Sequence, residues 1–273
     1  MEHKLSRAAL KNVTLTTPLD DGIKLVSMRG REALSELFSY RIELLVERGK
    51  QLDFAALLGA DVALALEQKT ERGQTQVRRV HGIVRRLGET GGYVEHVAYE
   101  LEIVPRFWLW TQRVRCRIFQ DQTTPEILKQ VLDGLEVQFE LSHEYRVHTY
   151  RTQFRESDYQ FACRLMEEEG IYFFFRHESG NQLLVLADNS PASAELAGGP
   201  LRFSAESPSV WDAPRVRHWR KFQELRPARI TLTDHFFQLP EQDLEASRTE
   251  TAVVAAGTVQ HQPGLGSRLD LEI

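Results

Sequence analysis

Apolar and polar residues alternate one by one through much of the first hundred residues. In residues 38–44 every second side chain is apolar, and residues 97–104 repeat the pattern. Successive side chains of a β-strand point to opposite faces, so this period predicts strands with one face in a core and the other in water. Such half-buried strands are typical of antiparallel sheets.

Strands of this kind follow one another from Val13 to Val104. Gly91-Gly92 precedes the last of them and predicts a tight turn. Residues 53–59 interrupt the series as a short helical segment between an Asp cap and a terminal Gly. Because closure removes exposed strand edges, the sequence predicts a β-barrel over residues 10–105.

Two helices are predicted from signals at their ends. Residues 123–134 carry a Thr cap, a Pro at the first helical position, a Gly terminator and an apolar stripe at spacings of three and four. The second helix begins at Ser157, which forms a capping box with Gln160, and it ends at Gly170. The first helix should pack on a core through its apolar stripe.

Strand signals return after the second helix. Residues 171–175 and 183–186 flank Ser179-Gly180-Asn181 and predict a β-hairpin. Residues 191–208, rich in Ala, Ser, Gly and Pro, predict a loop or linker. Alternation resumes in residues 216–220 and 229–233, which predicts a second β-rich unit.

The order of these elements predicts an α+β chain that is mainly β. Residues 1–110 form a first β-barrel domain, residues 111–195 an α/β segment with two helices and a hairpin, and residues 196–273 a second β-rich part. The aromatic run at residues 105–110 marks the first boundary. The last residues, 271–273, have strand character, so we expect that the natural chain continues.

Composition narrows the classes of partner. The chain has 34 Lys and Arg against 39 Asp and Glu, a net charge of −5, which weighs against nucleic acid as a partner. No signal-peptide pattern and no run of ~18 apolar residues occurs, so we expect synthesis and assembly in the cytoplasm. Cys116 and Cys163 allow at most one disulfide, and two buried free thiols are favoured.

No motif for nucleotide phosphates, dinucleotides or a nucleophile elbow is present. His143 and His148 are five residues apart, which would turn them about 140° from each other on a helix, so a shared metal is not expected. The sequence therefore predicts no catalytic, cofactor-binding or metal-ligating residue, and no small-molecule substrate.

The run Glu167-Glu168-Glu169 is the sharpest charge cluster. Consecutive helical side chains diverge by about 100°, which favours a solvated face or a salt-bridge strip at an interface. Because acidic residues at a helix C-terminus oppose the macrodipole, a basic partner such as Arg164 or Arg155 is expected nearby. The alternative is a hydrolase that uses these glutamates with a nearby His.

Basic residues form three patches: Arg78-Arg79, Arg85-Arg86 and the alternating arginines of residues 113–117. With Trp108 and Trp110 they could indicate a surface for single-stranded nucleic acid. The acidic net charge favours a simpler interpretation, in which the arginines form one wet strand face or a subunit contact.

Residues 150–161 and 164–174 resemble the VgrG family of type VI secretion spike proteins. Supporting blocks in the family's order lie at residues 34–38, 57–59, 81–84, 105–110 and 116–121. The resemblance implies the N-terminal base of a spike, similar in fold to the hub of a contractile phage baseplate, with two barrel domains resembling the tube protein Hcp.

That resemblance also implies the partners. Three chains with two barrels each would present six similar units to a hexameric Hcp ring, so that a homotrimer joins a three-fold spike to a six-fold tube. Further partners would be baseplate components, adaptors or effectors, and the assembled spike would be secreted or delivered into a target cell. The alternative is the hub of a phage or of a phage-tail-like contractile particle.

Overall fold

A computed structural model describes most of the chain, which divides into two compact units, residues 1–217 and 218–273. No helix within the described part is long and apolar enough to cross a membrane. The described residues are 6–10, 12–18, 23–50, 52–69, 75–178, 180–189, 202–203, 215–216, 218–220, 222, 229–249, 254–256 and 259–261.

A seven-stranded antiparallel sheet dominates the first unit. Its strand order is β1-β2-β5-β6-β7-β4-β3. The strands are β1 (Ser6–Leu10), β2 (Val13–Thr17), β3 (Ile23–Arg31), β4 (Ser39–Glu47), β5 (Asp61–Lys69), β6 (Thr75–Gly92) and β7 (His96–Val104).

Alternate residues of these strands build the first core, as the sequence predicts. In β4, Tyr40, Ile42, Leu44 and Val46 are buried while their neighbours are more exposed. The sheet curls into a half-barrel whose strand order ends at β1 and β3. The fold is therefore mainly β, and full closure into a barrel stays a prediction.

The glycine pair before β7 lies in the sheet rather than in the turn. Gly91 and Gly92 are the last residues of β6 and pair with Ala98 and Val97. The turn is formed by residues 93–95, where the N–H of Tyr93 donates to the carbonyl of His96. The predicted turn is thus displaced by two residues.

The predicted short helix is present between β4 and β5 as α1 (Phe54–Leu57), with Asp53 as its cap. After β7 the chain forms a second compact region. Its elements are a 3-10 helix (Arg106–Gln112), β8 (Val114–Phe119), β9 (Gln122–Thr123), α2 (Thr124–Val131), β10 (Val137–Glu140), β11 (Val147–His148), β12 (Arg151–Ser157), α3 (Asp158–Glu169), β13 (Tyr172–Glu178) and β14 (Asn181–Ala187).

Both predicted long helices are confirmed, with the caps expected of them. Thr123 and Ser157 each complete a capping box, and Gly170 ends α3 in the left-handed conformation at φ 72°. Their apolar faces meet the 3-10 helix and the predicted hairpin β13–β14, which is also confirmed. Members of this second core include Phe107, Ile127, Leu128, Phe161, Leu165 and Phe173.

The predicted second β-rich part is only partly described. In the first unit, β15 (Arg202–Phe203), inside the predicted linker, pairs with β16 (Arg215–Val216). The strand expected at residues 216–220 is wrong beyond its start, because His218, Trp219 and Arg220 have no regular structure. The second unit contains β17 (Arg229–Asp234), as predicted, with β18 (Leu244–Thr249), β19 (Val254–Ala256) and β20 (Val259–His261).

Candidate functional site: an assembly surface around α3

The acidic run at the end of α3 divides between two sets of partners. Glu168 forms ion pairs with Arg151 at 2.7 Å and with Arg164 at 3.5 Å. Glu169 instead accepts a hydrogen bond from the buried hydroxyl of Thr124 at 3.1 Å. The expected partner Arg164 is confirmed. The glutamate side chains point in different directions. Glu168 connects α3 to β12 through Arg151, and Glu169 connects it to α2 through Thr124.

The geometry gives no support to hydrolysis by these glutamates. His148 does lie near them, but its Nε2 atom contacts both Glu169, at 3.1 Å, and Thr124, at 3.3 Å. A proton relay needs the carboxylate on one ring nitrogen and the nucleophile on the other. Thr124 is also completely buried, so a substrate cannot reach its hydroxyl.

His143 lies apart from His148 and contacts a different carboxylate. Its Nδ1 atom is 2.9 Å from the buried Asp188. Asp188 also accepts hydrogen bonds from the backbone N–H groups of Ser142 and His143 and from the Tyr145 hydroxyl. Burial raises the pKa of Asp188, but these bonds outweigh it and hold that pKa well below its ordinary value. Asp188 therefore anchors residues 142–145.

Arg117 of β8 faces inward, so the interpretation of the arginine run as one wet face is wrong for this residue, whereas the side chain of Arg115 stays half exposed. Arg117 donates to Asp158 at 2.6 Å and to Gln153 at 2.8 Å, and Asp158 is almost fully buried. Arg115 lies 3.6 Å from the same carboxylate. Burial lowers the pKa of Arg117, while Asp158 acts against that shift. This inward face fixes the N-terminus of α3 to the ribbon formed by β8 and β12.

One arginine of each of the other two basic pairs, and both tryptophans, also have structural partners. Arg78 pairs with Glu32, and Arg85 lies 3.6 Å from Glu102. Trp110 is buried and donates its indole N–H to the carbonyl of Val131 at 2.8 Å. A buried indole cannot stack on a nucleic-acid base, so Trp110 belongs to the core.

A joint that the sequence patterns did not predict connects the half-barrel to the hairpin. The backbone N–H of Ser35 donates to the carbonyl of Phe173 at 2.8 Å, and that of His81 donates to Nδ1 of His177 at 3.1 Å. Gln182 donates to the carbonyl of His81 at 2.9 Å. Phe38 adds an edge-on contact with Phe175 in the same region. The only sequence signal is that blocks 34–38 and 81–84 belong to the VgrG resemblance.

Comparison with known proteins identifies the family of this chain. A family model described as phage tail baseplate hub (GPD) matches residues 31–267. The chain belongs to this hub family.

Two curated relatives of this hub-family chain are spike proteins of Pseudomonas aeruginosa, which confirms the VgrG resemblance. Type VI secretion system spike protein VgrG1c is 37% identical over 82% of the chain and 31% of its own length. VgrG1a is 36% identical over 85% of the chain and 36% of its own length. The chain therefore spans about a third of the curated relatives that it matches.

A solved structure supports the same fold. The hub-family chain superimposes on the E. coli c3393 protein with a TM-score of 0.56 and 24% identity, covering 71% of this chain and 51% of that one. That protein is described as a component of the type VI secretion system, structurally similar to the T4 bacteriophage tail proteins gp27 and gp5.

The two thiols of the hub-family chain differ in environment. Both are free, as expected, but Cys116 is exposed, so its predicted burial is wrong. Cys163 on α3 is partly buried, and burial raises its pKa to about 11. Cys116 is therefore the more accessible of the two thiols to reagents.

Proposed function

We propose that this chain forms the base of a type VI secretion spike, as a trimeric hub that caps the hexameric tube and carries the needle and effectors. The observation that carries the proposal is the seven-stranded half-barrel in a hub-family chain that is 37% identical to a spike protein. The chain acts by assembly rather than by catalysis, with no cofactor, small-molecule substrate or nucleic acid.

The proposed role of this hub is to join a three-fold spike to a six-fold tube. Residues 1–110 close into one barrel and residues 196–273 contribute to a second, with the α/β segment of residues 111–195 between them. Three chains then present six similar barrels, so the three-fold spike meets each subunit of a six-fold Hcp ring in an equivalent way. The chain assembles in the cytoplasm and leaves the cell with the contractile apparatus.

Mass measurement and ring binding test the proposal. Light scattering should give three times the mass of one chain, and the trimer should co-sediment with purified Hcp rings. A matched control is a hexameric ring protein of similar size and charge from outside contractile systems, which should not bind. A chain that stays monomeric and fails to bind Hcp rings contradicts the proposed function.

The second candidate is the hub of a phage or phage-tail-like contractile particle. It is favoured by the family itself, which is described as a phage tail baseplate hub. Neighbouring genes separate the two candidates. Capsid and tail-fibre genes favour a phage, whereas sheath and ATPase genes favour secretion.

A further inference from the structure

Two neighbouring histidine rings lie at the joint between the half-barrel and the hairpin. The ring centroids of His81 and His177 are 5.9 Å apart, and the backbone N–H of His81 donates to Nδ1 of His177. Nδ1 of His81 is buried and has no hydrogen-bond partner within the described residues. A charged imidazole carries a proton on both nitrogens. At His177 that proton would meet the N–H of His81, and at His81 it would be a buried donor without an acceptor.

The surroundings of both rings oppose a positive charge. Burial lowers the pKa of His177 to about 4, with smaller contributions from His81 and Arg78. Burial also lowers the pKa of His81, and Arg79 adds to that shift, whereas a backbone hydrogen bond acts against it. The carboxylate of Glu32 is already paired with Arg78. Both histidines are therefore neutral in the closed joint at neutral pH.

The contacts of the joint are polar and border on open space. Three backbone N–H groups outside the hairpin donate to it here, those of Ser35, His81 and Arg106. A cavity of about 490 Å³ lies beside these bonds, between Ala63 of the half-barrel and Asn181 of the hairpin. Because water from this space can replace the bonds, opening the joint costs less than disrupting either core.

The other charged groups around the cavity do not neutralise a protonated histidine. Asp61 is paired with Arg106. Glu136 lines the cavity, but it is exposed, so solvent screens its charge. In the described part of the joint, a protonated His81–His177 pair would thus add positive charge beside two arginines of β6 without a buried counter-ion.

We propose that the joint is an acid-operated latch, in which protonation of His81 and His177 separates the hairpin from the half-barrel while both cores stay folded. The hairpin remains attached to the second core, where Phe173 and Leu184 are buried. This conformational device belongs to the fold of the single chain and does not depend on the spike function proposed above.

The size of the effect follows from the two states of His177. In the closed joint its pKa is about 4, and in the hydrated open joint it returns to the ordinary value of about 6.5. Acid therefore favours the open joint, because the open joint binds a proton that the closed joint does not. Between pH 7 and pH 5 the ratio of open to closed joint should rise about 20-fold.

Amide hydrogen exchange of the whole chain, measured by NMR, tests the latch. Protection factors, which are corrected for the intrinsic effect of pH on exchange, are compared at pH 7 and pH 5. The protection of the amides of Ser35, His81 and Arg106 should fall together by about 20-fold. Their exchange should be insensitive to low urea concentrations, whereas that of Ile42 and Leu44 in β4 should rise steeply with urea, because it requires global unfolding.

Substitutions assign the effect to the histidines. In His177→Asn the amide oxygen can accept the bond without titrating, so the change in protection of the joint amides between pH 7 and pH 5 should be at least fivefold smaller. The double variant His81→Asn/His177→Asn should show no such change. His96→Asn is the matched control, because His96 contacts Lys24 at the start of β7, outside the joint, and its variant should keep the 20-fold change.

Three results would overturn the inference. The joint amides keep their protection at pH 5, or they lose it with the same urea dependence as Ile42 and Leu44, which makes the opening global. The third is an unchanged pH dependence in His177→Asn. None of these results bears on the proposed function, which trimer mass and binding to Hcp rings test separately.

Discussion

The Nδ1 atom of His177 accepts a hydrogen bond from the backbone N–H of His81, 96 residues earlier in the chain. An imidazole nitrogen can accept this bond only while it is unprotonated. Burial, with smaller contributions from His81 and Arg78, lowers the pKa of His177 to about 4. The joint between the half-barrel and the hairpin is therefore formed by a neutral histidine.

Acidification should loosen this joint. Between pH 6.5 and about 4 the unfolded chain binds a proton at His177 that the folded chain does not, so the free energy of unfolding falls as pH falls through this window. Urea midpoints measured across it should decrease. In His177→Asn the amide oxygen can accept the same bond without titrating, so its midpoint should depend less on pH. An equal pH dependence in both proteins contradicts the role of His177.

Two glycines of β6 provide a matched pair of substitutions. A Cβ atom at Gly82 would lie 2.6 Å from the carbonyl oxygen of Val104, whereas one at Gly88 meets nothing within 4 Å. Gly82→Ala should lower the free energy of unfolding by about 1–3 kcal/mol, because the backbone at Val104 must move away from the new methyl group. Gly88→Ala should be neutral or stabilising by up to about 1 kcal/mol. Equal effects in urea denaturation would exclude the close approach at Gly82.

Removing the buried carboxylate beneath the ribbon should be costly. Asp158→Ala leaves the guanidinium of Arg117 without its charged partner, and we expect a loss of about 3 kcal/mol in unfolding free energy. Asp133→Ala, at an exposed position after α2, should change it by less than about 0.5 kcal/mol. The double variant Arg117→Ala/Asp158→Ala should recover part of the loss. Strict additivity would show that the two side chains do not interact.

Asp188 should make the chain sensitive to acid. Its pKa in the folded chain is lower than in the unfolded chain, so its stabilising contribution is complete above pH ~4 and is lost as pH falls further. Asp188→Asn should cost about 2–3 kcal/mol at neutral pH and reduce the slope of stability against pH below 4. Tyr145→Phe removes one bond and should cost less. Unchanged acid unfolding in Asp188→Asn contradicts this account.

Sequence patterns correctly predicted the features that depend on residues close together in the chain, namely the starts of the two helices and the buried face of β4. The capping boxes at Thr123 and Ser157 need partners only three residues away, and both helices begin where the sequence indicates. Alternation likewise predicted which residues of β4 are buried. Such features are visible in sequence because the contacts that create them are short in range.

The features that sequence patterns missed depend on contacts between residues far apart in the chain. Alternation in β8 separates arginines from apolar residues but does not say which face turns inward; Asp158, 41 residues away from Arg117, decides that. The contact between Ser35 and Phe173 spans 138 residues of chain, a separation at which periodicity carries no information. Resemblance to VgrG marked these regions without assigning their contacts.

Strand β6 has a mechanical consequence. It is 18 residues long, twice the length of β5 or β7, and it pairs with β5 over residues 75–83 and with β7 over residues 83–92. Tension applied along the strands between β5 and β7 must therefore pass along the covalent backbone of β6. The hydrogen bonds between β5 and β6 and those between β6 and β7 are then loaded together, parallel to the strands, instead of breaking one at a time. The half-barrel should therefore resist stretching along β6.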